Sequence, residues 1–180
     1  MFHFFYALPL PTAICMSIVA VFCWAVLCRI FRKYTKQLRL ASLILFCFSI
    51  LLILKLTIFN REPGDFTACF VPFYSLVEAK VEREIYRSSL MNIFLFMPYG
   101  MTLPFVISSK RSKRIIVTIL SALILSGVIE FIQYKFSLGR CETDDVICNS
   151  IGAAMGTISY LLYSMKFQIK NCKFFRGANL

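Results

Sequence analysis

The chain has 180 residues, of which 59% are hydrophobic and 16% charged, and its mean hydropathy is +0.74. This composition excludes an ordinary soluble domain, in which about 25% of residues are charged, and indicates an integral membrane protein. The net charge of +11 does not indicate nucleic-acid binding, because the basic residues follow the pattern of membrane loops.

Five apolar stretches are each long enough for a bilayer, which needs about 20 helical residues. They cover residues 12–31, 40–59, 89–107, 115–136 and 146–165. An all-α, polytopic integral membrane helix bundle of about five transmembrane helices is therefore predicted, as one membrane domain over residues 1–180. The first stretch has neither a preceding lysine or arginine nor a small-residue cleavage pattern, so we expect a retained span rather than a signal peptide.

Basic residues accumulate in every second connection. Thirteen of them, without one acid, occupy the connections after the first and third spans and the C-terminal tail. They are Arg29, Arg32, Lys33, Lys36, Arg39, Lys110, Arg111, Lys113, Arg114, Lys166, Lys170, Lys173 and Arg176. Lysine and arginine mark cytoplasmic loops, so the pattern predicts an outside N-terminus and an inside C-terminus.

The third predicted span contains the run Asn92-Ile93-Phe94-Leu95-Phe96-Met97-Pro98-Tyr99-Gly100. Pro98 removes a backbone hydrogen bond, and together with Gly100 it is expected to kink or loosen the helix. The break has two interpretations: it is structural only, or it directs Asn92 toward a site. We prefer the second.

Polar and small residues recur at helical spacing in the fourth and fifth spans. They are Glu130 with Gln133, and Asp145 with Asn149, Gly152 and Gly156. Steps of three and four place each set on one face of its helix. A charged side chain inside a span costs about 3 kcal/mol unless a partner satisfies it, so two polar faces predict one buried pocket. The glycine pair predicts close helix packing.

The span directions bring the polar residues into one extracytoplasmic layer. The predicted cluster contains Arg61, Asn92, Glu130, Gln133, Arg140, Asp144, Asp145 and Asn149. One interpretation is ligand binding. The other is that Glu130 pairs with Arg61 or Arg140 and only orients helices, while Asn149 caps or bonds a neighbouring helix.

The eight cysteines form no zinc-binding spacing, and the sole histidine, His3, lies outside the cluster. We therefore predict no metal and no other cofactor. Cys69 and Cys141 both fall on the predicted outer face, where a disulfide and two free thiols are both open options. Residues 66–87 are expected to lie on the membrane surface, with a lid over the cluster as the alternative.

These motifs resemble the VanZ-like family of bacterial membrane proteins. Its members resemble one another in Asn-x-x-x-Phe-x-Pro-x-Gly, Glu-x-x-Gln, an arginine followed by acids, and Asp-Val/Ile-x-x-Asn-x-x-Gly, which occur here in that order. Arg61 and Val71-Pro72-Phe73 resemble the first block of the family. The resemblance covers about residues 61–163. Glu142 stands where the family more often has aspartate.

The resemblance implies a multi-pass protein of the bacterial cell membrane that gives low-level tolerance of teicoplanin-type lipoglycopeptides rather than vancomycin. One hypothesis is that the outer pocket binds or shields an envelope lipid or the lipidated antibiotic. The alternatives are a non-catalytic scaffold and a membrane-embedded enzyme acting on a lipid headgroup, with Glu130 as a base. We favour a non-enzyme, because neither a nucleophile elbow nor a histidine pair occurs in the sequence.

Overall fold

Five long α-helices form the framework of the protein. The structure, a computed structural model, describes residues 10–61, 67–69, 71–72, 83–138 and 140–165. The helices are α1 (Leu10–Ile30), α2 (Thr35–Leu54), α3 (Arg83–Val106), α4 (Arg111–Phe136) and α5 (Thr143–Ser164). All five contain a segment long and apolar enough to cross a membrane. The predicted all-α, polytopic membrane bundle is confirmed, whereas the orientation of its termini stays a prediction.

Short elements extend and connect the helices. A 3-10 turn, Phe31–Lys33, joins α1 to α2, and a π-helical turn, Lys55–Phe59, continues α2. Strands β1 (Thr67–Cys69) and β2 (Arg140–Glu142) pair in parallel. The strand pair, which the sequence pattern does not anticipate, ties the connection after α2 to the connection after α4.

The helices extend beyond the apolar stretches from which they are predicted. α3 begins at Arg83, six residues before the expected start of the third span, and therefore takes up part of the segment predicted to lie on the membrane surface. Most of residues 66–82, including Phe73 of the first motif, fall outside the described residues, as does the basic tail at 166–180.

The centre of the bundle is the crossing of α3 and α5, which share the largest helix contact. Three glycines make the close approach possible. A Cβ at Gly100 would overlap the backbone of Ala153, and one at Gly152 would overlap the carbonyl of Ile93. Gly156 is equally close to Met97. The two helices therefore touch through their backbones, as small residues permit in membrane helices.

The outer faces of the bundle are apolar. Phe22 on α1, Phe48 on α2 and Phe131 on α4 are each at least 60% exposed. α3 is the most buried of the five spans, while α1 and α2 are among the least buried. Exposed aromatic and aliphatic side chains on the peripheral helices fit a lipid bilayer environment.

Candidate functional site

The polar residues of α4 and α5 lie at the end of the bundle where β1 pairs with β2. We call this group, with Arg61 and Asn92, the polar cluster. Its buried members are Glu130, Gln133, Asp144, Asp145 and Asn149, and its half-buried members are Arg61, Asn92 and Glu142. Arg140 belongs to β2, opposite Thr67, but its side chain is outside the described atoms.

Glu130 joins the polar cluster to the connection between α4 and α5. Its Oε2 accepts a hydrogen bond of 3.1 Å from the backbone N–H of Glu142. The sequence suggests arginine partners for this carboxylate, and it gives no signal for a backbone partner. Because the donor is a neutral N–H, a glutamine side-chain oxygen at position 130 can accept the same bond.

Gln133 connects α4 to the π-helical turn after α2. Its Nε2 donates a 2.9 Å hydrogen bond to the carbonyl of Thr57, and both residues are buried. A π-helical turn interrupts the regular bonding of a helix and is frequent at functional sites. The Gln133 Oε1 atom is buried and has no hydrogen-bond partner among the described residues.

The side-chain amide of Asn149, like that of Gln133, has a hydrogen-bond partner for only one of its two polar atoms. Its Nδ2 donates a 2.7 Å hydrogen bond to the hydroxyl of Ser126, whereas its Oδ1 is buried and lacks a partner within the described part of the chain. Ser126 is a residue that the motifs miss. It lies four residues before Glu130, so extending the polar face of α4 by one turn would have found it.

The first turn of α5 concentrates negative charge. Asp145 lies within electrostatic range of Glu142, Asp144 and the guanidinium of Arg61. The N-terminal position of Asp144 and Asp145 is favourable, because the helix dipole is positive there. Arg61 also donates a long hydrogen bond, 3.4 Å, to the carbonyl of Leu138. The Asp145 carboxylate therefore lies between two like charges and one guanidinium.

Asn92 brings α3 to the same place. Its side-chain amide interacts with the Asp145 carboxylate. The contact lacks the geometry of a full hydrogen bond, and Nδ2 remains unsatisfied with respect to the described residues. α3 stays helical through Pro98 and Pro104, and the Thr102 hydroxyl bonds the Pro98 carbonyl at 2.8 Å.

Two further observations concern cysteine and metal chemistry. Cys69 is a free cysteine, so it is not joined to Cys141 by a disulfide. Within the described residues, no group of three or more His, Cys, Asp or Glu side chains is arranged to hold a metal ion.

The Asn149–Ser126 bond leads to a prediction about stability. We expect the variants Asn149→Ala and Ser126→Ala to show a coupling of about 0.6 kcal/mol in the free energy of unfolding, the average for membrane helix hydrogen bonds. A double-mutant cycle in detergent measures it. Ser121→Ala is the control on the same helix. The Ser121 hydroxyl accepts a hydrogen bond from Tyr99 and not from Asn149, so this variant should not couple to Asn149. Equal coupling to Ser121 would contradict the assignment.

The fold and the polar cluster define an all-helical, multi-pass membrane protein with a polar site at one end of its bundle. The family model described as VanZ/LLP1 matches residues 17–164, and the chain belongs to this family. The match includes α2 and most of α1, which by their motifs alone resemble the family only as hydrophobic spans. Searches of curated proteins and of solved structures found no match.

Proposed function

We propose that the polar cluster binds a membrane-anchored envelope ligand, and that this binding gives the bacterial cell low-level protection against teicoplanin-type lipoglycopeptides. The supporting observation is a set of three unsatisfied amide atoms: Asn92 Nδ2, Gln133 Oε1 and Asn149 Oδ1. Leaving such an atom buried and unpaired costs about 1–3 kcal/mol. Three of them at one end of the bundle favour a group that completes their hydrogen bonds.

The chemistry of the polar cluster suits a polar headgroup. It offers one amide donor, two amide acceptors, the guanidinium of Arg61 and several carboxylates. Hydroxyls and amides, as in sugars and peptides, match the amide atoms, while a guanidinium prefers anionic oxygens. The opposite end of the bundle carries the basic connections. By the charge rule for loops, the polar cluster faces the outside, where a lipid-anchored drug or cell-wall precursor would meet it.

The unsatisfied atoms favour binding over a scaffold whose polar residues only set helix packing. A purely structural network gains most when every member is paired, because an unpaired buried group lowers stability. Gln133 and Asn149 each use their nitrogen for packing, toward Thr57 and Ser126, and keep their oxygen free of described partners. One half of each amide holds the fold, and we assign the other half to the ligand.

The test compares the teicoplanin and vancomycin susceptibility of cells that carry the wild type, an empty vector or the variants Asn92→Leu and Glu130→Gln, at matched membrane levels. We expect the wild type to protect selectively against teicoplanin and both variants to lose that protection. Asn92→Leu removes an unsatisfied donor, and Glu130→Gln removes a charge but keeps an acceptor. Losing the bond to Asn92, or replacing a charge-assisted bond at position 130 by a neutral one, lowers the affinity about tenfold.

Gly127→Ala is the matched control. This position lies on the exposed face of α4, where an added methyl meets nothing within 4 Å, and it should protect like the wild type. If the wild type and the empty vector give the same susceptibility, the resistance proposal is wrong for this protein. If neither site variant can be expressed to the membrane level of the wild type, that result would instead support a structural role for the polar cluster.

A further inference from the structure

The end of the bundle opposite the polar cluster has no acidic side chain. All nine acidic residues of the chain lie within residues 62–84 and 130–145. The opposite end is formed by residues 29–39, 107–114 and 161–165, which contain many of the arginines and lysines. Positive charge at this basic end therefore has no carboxylate side chain from the same region to balance it.

A cavity of about 230 Å³ opens at this basic end between α2, the connection from α3 to α4, and α5. Its polar lining comes from Thr35, Arg39, Ser108 and Arg114, and its aromatic lining from Phe105 and Tyr163. Since one water takes about 30 Å³ of liquid volume, the cavity can hold a group of several heavy atoms. Two guanidinium and two hydroxyl groups form a donor set for an anion.

Arg114 is held in place before any anion arrives. Its Nε donates a 2.7 Å hydrogen bond to the carbonyl of Ser109, and its Nη1 donates to that of Pro104 at 3.2 Å. The guanidinium also lies 5.6 Å from the ring centroid of Tyr160. The two carbonyl bonds use two of five N–H donors, so the remaining donors can serve an anion without new ordering of the side chain.

Helix geometry adds to the positive character of the cavity. Thr35, a lining residue, is the first residue of α2, and Arg114 lies in the first turn of α4. Neither helix has an acidic residue in its first turn or a side-chain cap on its N-terminus. The first N–H groups of a helix and its dipole favour anions.

An apolar groove adjoins the cavity lined by Arg39 and Arg114, which we call the basic cavity. It has a volume of about 270 Å³ and runs between α1 and α2, lined by Trp24, Cys28, Phe31 and Leu38 among others. Leu38 also lines the basic cavity, so the two spaces are neighbours on the surface of the bundle. A free phosphate would use only the basic cavity. A phospholipid uses both, because it carries an anionic headgroup and an acyl chain on one molecule.

We propose that the basic end of the bundle binds one anionic phospholipid, with its phosphate in the cavity of Arg39 and Arg114 and an acyl chain in the groove beside Trp24. Basic pockets between transmembrane helices recognise anionic headgroups in this way. The site is separate from the polar cluster and does not depend on the ligand proposed there.

Trp24 makes the site measurable, because it is the sole tryptophan of the chain and lines the groove. The full-length protein is reconstituted in phosphatidylcholine bilayers that contain phosphatidylglycerol with brominated acyl chains, and quenching of tryptophan fluorescence is recorded. The reference uses brominated phosphatidylcholine. We expect stronger quenching by the brominated phosphatidylglycerol at equal mole fraction. Equal quenching by the two lipids would overturn the proposal.

Arg39→Gln is the principal variant, because Arg39 is exposed and its loss should not impair folding. This variant should lower the binding preference for phosphatidylglycerol over phosphatidylcholine about fivefold, because one basic residue near an anionic surface contributes about 1 kcal/mol. Arg111→Gln is the matched control, since it removes the same charge from the same end without lining the cavity. Equal losses in both variants would mean diffuse surface attraction and would contradict a defined site.

A further arm distinguishes the lipid from a soluble anion. Inorganic phosphate is added at increasing concentration to protein in bilayers with brominated phosphatidylglycerol. We expect the quenching to persist, because the acyl chain in the groove adds to the affinity of the headgroup. Complete reversal by inorganic phosphate at constant ionic strength would show that the acyl chain adds no affinity in the groove, so that the site recognises phosphate alone, and would overturn the assignment to a lipid.

Discussion

Replacing Gly152 by alanine is expected to lower the free energy of unfolding by about 3 kcal/mol, at the upper end of the usual range for overpacking. A methyl group at this position overlaps the backbone carbonyl of Ile93. A flexible side chain could rotate away, but a backbone carbonyl inside a helix cannot. The strain is relieved only if α3 and α5 separate, which also loosens the contact of Gly156 with Met97. Unfolding of the purified protein in detergent measures the loss.

Gly127→Ala provides the control for this experiment. It makes the same chemical change in a neighbouring helix, at an exposed position with open space around it. Because alanine favours the helical state over glycine by about 0.8–1 kcal/mol, the control should be as stable as the wild type or slightly more so. If Gly152→Ala were as stable as Gly127→Ala, the backbone-to-backbone crossing of α3 and α5 would be wrong.

The membrane spans could be predicted from the sequence because a bilayer imposes a length and an apolar composition on each helix. The polar faces of α4 and α5 were also visible, since steps of three and four residues define a helical face. Glu130 and Gln133 both proved to be buried, as did Asp145 and Asn149. Spans and helix faces depend on residues close together in the sequence, so a sequence pattern can predict them.

The partners of the polar side chains could not be predicted in this way. Glu130 accepts a bond from a backbone N–H, and Gln133 donates to the carbonyl of Thr57. Backbone groups are present at every residue, so no residue type marks them. The pairing of β1 with β2 is hidden for a similar reason, because each strand has only three residues and no alternating pattern.

The basic cavity illustrates a second limit. Charge counting assigns Arg39 and Arg114 to the predicted cytoplasmic loops. It accounts for their position at one end of the bundle but not for the direction of their side chains. Their convergence depends on α2 and α4 beginning beside the same part of α5. Residues so far apart in sequence meet only through tertiary packing, which no local period encodes.

The second large effect is expected at Arg61. The variant Arg61→Met should lower the free energy of unfolding by about 2 kcal/mol, less than the 3–5 kcal/mol typical of a fully buried pair, because Arg61 is half-buried. Its removal takes away a positive charge that favours the Asp145 carboxylate, which also lies near the negative charges of Glu142 and Asp144. Lys135→Met removes an exposed charge from the same end of the bundle and should change stability by less than about 0.5 kcal/mol.

Adding Asp145→Asn to Arg61→Met should restore most of the lost stability, because the substitution removes the negative charge that Arg61 offsets and keeps a polar group beside Asn92. The two side chains interact electrostatically, so the double-mutant cycle should give a coupling of about 1 kcal/mol. Additive effects would show that Arg61 stabilises the protein by another route, such as its bond to the Leu138 carbonyl.

The double variant also separates folding from binding at Arg61. It restores charge balance without restoring a guanidinium, so a role of Arg61 limited to packing predicts that protection against teicoplanin returns with stability. Under the proposed function the guanidinium contacts an anionic group of the ligand, and a neutral methionine cannot replace that contact. We therefore expect a double variant that folds and reaches the membrane at wild-type levels but does not protect. The reference is Asp145→Asn alone, which keeps the guanidinium and should protect better than the double variant. Recovery of protection would remove Arg61 from the binding site while leaving its place in the fold intact.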